Sequence, residues 1–125
     1  MFPTNKELYD GLAASKVSLT FPRCDTHPEV AGNIETLTQR YWECMLSRVV
    51  MVGRAPFELV NLVGYNPVIE IGGKTAENLI MDVVMHPETY QGLADKNREV
   101  ALQYAGWLGR MHKIMNFLKE CGYAV

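Results

Sequence analysis

The chain has 125 residues, 48% of them hydrophobic and 21% charged, a composition that suits a folded domain and excludes disorder, collagen-like repeats and low-complexity sequence. Twelve Lys and Arg against 14 Asp and Glu leave a net charge of −2, which argues against non-specific binding to nucleic acid or to an anionic membrane. Three cysteines, Cys24, Cys44 and Cys121, form no close pair, which fits neither a disulfide framework nor a zinc knuckle and points to a reducing cytosol.

Residues 1–7 lack the basic and apolar regions of a secretory leader, and no stretch approaches the roughly 18 consecutive apolar residues of a membrane span. One cytoplasmic domain spanning residues 1–125 is the expectation. Thr4 and Glu7 stand at capping-box spacing and predict a short helix ending near Ala14. Val17, Leu19 and Phe21 alternate with polar neighbours, the pattern of a half-buried strand, and Pro22 stops it.

Asp25-Thr26-His27-Pro28-Glu29 is a helix-start signal, with cap-type residues, a first-turn proline and an acid facing the positive end of the helix dipole. Val30, Ile34, Leu37, Tyr41, Met45 and Val49 then recur every three or four residues, predicting a long helix from Thr26 to Val52 that Gly53 ends. Pro56 opens a short helix, Phe57 to Val63, closed by Gly64, and Val68 to Ile71 read as a second strand. Thr75 to Met85 is helical by pattern and ends at His86-Pro87; a second long helix is expected from Asp95 to Glu120. The expected fold is α+β, mainly α, with two long helices and a small two-stranded β element.

The C-terminal helix carries a heptad seam: Val100, Tyr104, Trp107, Met111, Ile114 and Leu118 alternate in steps of four and three, with Asn97 in register before them. Ala101, Leu108 and Met115 widen the stripe, as a helix inside a bundle requires, so the seam reads either as core of the same chain or as an interface. A polar core position such as Asn97 can set register and subunit number, and Gly106 and Gly109, which cost about 1 kcal/mol each relative to alanine, suit close approach of another backbone. These features suggest a non-enzymatic binding protein that associates with itself and with a protein target, as an adaptor or inhibitor. Seven methionines suit an adaptable surface and an irregular core equally.

Two weaker sites compete with that reading. Gly72-Gly73-Lys74-Thr75 follows a predicted strand and opens a helix, like the end of a phosphate-binding loop, but Val68 stands where the first glycine of that motif belongs. A glycine turn with free N–H groups beside a lysine still attracts anions, so a small-ligand module for a nucleotide or other phosphorylated compound is the alternative, with Arg54 or Arg110 in support. His-Pro-Glu occurs twice, at His27 and His86. Each copy reads as a helix-start cassette, or both histidines meet Cys24 in an enzymatic or metal site. Arg40, Arg48 and Arg54 lie near Tyr41 and Trp42, but Glu29, Glu35 and Glu43 share their helix, so a mixed-charge surface is expected rather than a nucleic-acid face. No cofactor and no resident metal are expected.

Overall fold

The structure, a computed structural model, describes residues 3–71 and 75–125. Its centre is a sheet of three parallel strands in the order β1 (Val17–Thr20), β2 (Val50–Gly53), β3 (Val68–Glu70). Parallel neighbours need a crossover between them. One-turn helices α2 (Arg23–Thr26) and α3 (Pro28–Ala31) and then α4 (Gln39–Leu46) connect β1 to β2, and α5 (Phe57–Val63) connects β2 to β3. Helix α1 (Asn5–Ala14) precedes the sheet, with the expected Thr4–Glu7 capping box, and α6 (Ala76–Met85), α7 (Pro87–Tyr104) and α8 (Trp107–Glu120) follow it.

The sheet is covered on both faces. Met51 and the preceding Val49 pack with Tyr41 and Met45 of α4 and Leu59 of α5, whereas Val50 and Val52 pack with Leu79 and Val83 of α6 and Ala94 of α7. This is the period-two alternation of a strand buried on both sides, and every residue of β2 is buried. Gly53 has φ +146°, and a Cβ there would lie 2.1 Å from the Thr20 carbonyl oxygen, so only glycine lets β1 and β2 approach at this edge.

The mainly helical α+β class stands, with three corrections. The sheet has three strands, not two: Val50–Gly53, expected as the end of a helix, is the central strand. A short apolar run buried on both faces has no period to separate strand from helix, and the β-branched Val49, Val50 and Val52 favour the strand once α4 and α6 enclose it. The helix expected from Thr26 to Val52 is consequently broken. Gly32 (φ +58°) ends α3, Arg48 (φ +58°) turns the chain out of α4, and Val30 and Ile34, read as parts of the buried stripe, are 64% and 69% exposed. The helix expected from Asp95 to Glu120 is two helices, because Gly106 takes an extended conformation as the N-cap of α8, and α7 already begins at Pro87.

Candidate functional site

Register places Thr20, Gly53 and Glu70 side by side, so all three strands release their chains at one edge of the sheet. At a strand spacing of about 4.8 Å the row is about 10 Å wide. In open parallel sheets ligands bind beyond the carboxyl ends of the strands where the strand order reverses; the order β1-β2-β3 has no such reversal, so what this edge offers is a set of loops free of the ladder whose ends the strands hold in place. Here those loops bring Asp25 from beyond β1, Arg54 from beyond β2, and Glu35 from the segment before α4.

Arg54 holds the three together. Its Nε and Nη2 donate to the two carboxylate oxygens of Asp25 at 2.6 and 2.8 Å, and its Nη1 donates to Glu35 Oε2. Glu35 Oε1 accepts the backbone N–H of Phe57 at the start of α5. Beneath the cluster the Arg54 backbone is fixed at both ends: its N–H donates to the Thr20 carbonyl at 3.0 Å, and its own carbonyl accepts the buried Tyr41 hydroxyl at 2.8 Å.

The electrostatics follow from these bonds. Hydrogen bonding to Arg54 lowers the pKa of Asp25; the Phe57 N–H and then Arg54 lower that of Glu35, and both carboxylates in turn raise that of Arg54. Burial pushes the Tyr41 phenol up, so it stays a neutral donor. Both acids are therefore ionised at neutral pH; Asp25 Oδ1 also accepts the Cys24 thiol at 3.6 Å, whereas Asp25 Oδ2 and both oxygens of Glu35 each keep a lone pair for another donor. A guanidinium has five N–H groups. Among the described residues three of Arg54's meet carboxylates and one points at Cys24 Sγ at 3.8 Å, leaving one for an incoming acceptor. Thr20 adds a buried hydroxyl, with no partner among the described residues, at the last residue of β1.

The other expected residues are distributed as follows. Gly72, Gly73 and Lys74 lie outside the described residues; Thr75, next in the chain, is the N-cap of α6 and accepts the N–H of Asn78. His27 and His86 are exposed caps of α3 and α7, paired with Thr26 Oγ1 at 3.0 Å and Glu88 Oε1 at 3.7 Å. Among the described residues no three metal-ligating side chains gather, so nothing assembles His27, His86 and Cys24 around an ion. Burial pushes the Cys44 thiol up, which suits a core residue.

The heptad seam is divided at the break between α7 and α8. Its first part lies inward. Val100 and Tyr104 pack on the core, and Asn97 is buried, donating to the Pro67 carbonyl at 3.0 Å and accepting from the Tyr65 hydroxyl at 2.7 Å. Its second part is bare. No residue of α8 is buried, and Trp107, Met111 and Ile114 are 75%, 46% and 49% exposed, with Leu118 half-buried. A groove of about 500 Å³ runs beside this helix, lined by Tyr9, Trp42, Glu43, Leu46, Trp107 and Arg110.

Sequence reasoning found Arg54 as an anion contact and missed its partners Asp25 and Glu35, which read as a helix-cap residue and a surface acid. The usable signal was the valine run: once residues 50–53 are a strand, the residue after it stands at the carboxyl edge of a sheet. No protein-family description, curated protein or solved structure matches this chain.

Proposed function

We propose that this chain is a small-ligand-binding protein, without catalytic activity of its own, that takes a nucleotide or another phosphorylated, hydroxyl-bearing compound at the carboxyl edge of its sheet. The observation that carries the reading is the row of three parallel strand ends beneath the Asp25–Arg54–Glu35 cluster. Carboxylates at such an edge accept ribose or sugar hydroxyls, while helix N-termini and basic side chains take phosphate. Glu35 and Asp25 supply the first element. The capped start of α6, Lys74 just before it, and the free donor of Arg54 supply the second. Binding rather than catalysis is supported by the lowered basicity of both acids, since a carboxylate held below its ordinary range is a poor general base at neutral pH.

Thermal-shift measurements with nucleoside mono- and diphosphates test this. A ligand at 100 times its dissociation constant adds about 2.7 kcal/mol, and Glu35→Gln and Lys74→Ala should each abolish the shift without unfolding the protein. Failure of every nucleotide and sugar phosphate to raise the melting temperature overturns the reading.

The adaptor or inhibitor reading is kept as a second one because of a specific observation, the uncovered apolar face of α8. It places a cytoplasmic partner, a protein target or a second copy, over Trp107, Met111 and Ile114. A mass above 14.1 kDa in solution, or a stable complex, that Met111→Asp abolishes supports it; indifference of every association to Met111→Asp removes it.

A further inference from the structure

We propose that the free edge of β1 is a self-association site at which a second copy of this chain adds antiparallel, converting two three-stranded sheets into one of six strands. The inference rests on backbone geometry and is independent of the ligand reading.

β1 is an outer strand. The carbonyls of Lys16 and Thr20 accept from Val50 and Arg54 of the β2 segment. Backbone groups of successive strand residues point alternately to the two sides, so Val17 and Leu19 turn their N–H and C=O groups away from β2, as Phe21, just past the end of the strand, turns its N–H, and no backbone bond outside the sheet reaches these groups among the described residues. The opposite edge of the sheet differs. There the Asn66 side chain already accepts the Val68 N–H at 3.0 Å and donates to Glu70, a device that blunts an edge.

The side chains point the same way. Leu19 is 57% exposed and Phe21 38%, apolar groups on an unpaired strand that a lone domain leaves in water. The occupant is a second copy because the edge is complementary to itself. A two-fold axis through Leu19 sets Leu19 opposite its own copy and Val17 opposite Phe21, so the outward groups of these three residues pair only with one another and form about four hydrogen bonds. Pro22, which has no N–H to offer, falls at a position whose backbone does not face the partner. Parallel addition of an identical strand is excluded by parity. A parallel ladder pairs an outward residue with an inward one, which an exact two-fold cannot do.

The test is sedimentation equilibrium of the 125-residue protein, with Leu19→Lys and Met111→Asp variants, and oxidative cross-linking of Leu19→Cys made in a Cys24→Ser, Cys121→Ser background. The expected result is a dimer of twice 14.1 kDa that Leu19→Lys makes monomeric and Met111→Asp does not, with rapid cross-linking of Leu19→Cys, since a hydrogen-bonded antiparallel pair sets its Cα atoms about 5.5 Å apart. Leu19 is exposed, so circular dichroism of Leu19→Lys should match the parent. A monomer at 100 times the concentration used for the variants, or a dimer that survives Leu19→Lys, overturns the proposal. So does a Leu19→Cys protein that cross-links no faster than a Thr26→Cys control.

Discussion

Helices α4 and α8 carry apolar stripes of the same kind, Tyr41 with Met45 in one and Trp107 with Met111 and Ile114 in the other, yet the first is buried against β2 and the second lies in solvent. Helical periodicity states which face is apolar; it carries no information on whether anything covers that face. Covering came from the strand. α4 is held by the valine run that follows it and by α7, whereas α8 starts a new direction after Gly106. Stability should accordingly reside around β2, and the face of α8 should contribute little to it.

Five substitutions, one of them read through a titration, bear on that contrast. The largest effect should come from Gly53→Val, whose side chain meets a backbone oxygen that cannot move without breaking the β1–β2 ladder; loss of the cooperative urea transition is expected, of order 4 kcal/mol or more. Met45→Ala should lower unfolding free energy by about 2–5 kcal/mol, as truncations in a closed core do. Tyr65→Phe removes the donor to the buried Asn97 Oδ1 and should cost about 1–2 kcal/mol in the same assay. If Met45→Ala proved no worse than a change in α8, the distinction between the two stripes would fall.

The titration concerns Asp25 and Glu35. Their folded pKa values lie below the ordinary 3.8 and 4.5, so the unfolded chain takes up these protons first. The stability they contribute is complete above about pH 5 and is lost as pH falls through the lowered folded values. Arg54→Met removes the principal cause for Asp25 and leaves Glu35 its Phe57 N–H, so the urea midpoint of the variant should fall less than the parent's between about pH 6 and 3. An equal fall in both would show that Arg54 does not hold the cluster. The smallest effect belongs to Ile114→Lys, which should change unfolding free energy by no more than about 0.5 kcal/mol while altering any association through α8.

Much of the local structure was legible in the chain. The Thr4–Glu7 box, the Phe57–Val63 helix with its Gly64 end, and the Val17 strand all rest on neighbours a few residues apart, where side-chain chemistry decides the backbone. The site was less legible. Arg54 meets Asp25 and Glu35 across separations of 29 and 19 residues, and that meeting depends on β1 and β2 lying in register.

What the sequence determined by itself was therefore composition, most helix starts and stops, and the identity of the apolar faces, because caps, glycines and periodicity act within a turn or two of the backbone. What only the tertiary structure decided was that Val50–Gly53 is a central strand, that the C-terminal seam is half core and half surface, and that three charged side chains share one edge. Each of these depends on which distant segment encloses an apolar run, and burial on two faces erases the period from which a strand could have been told from a helix.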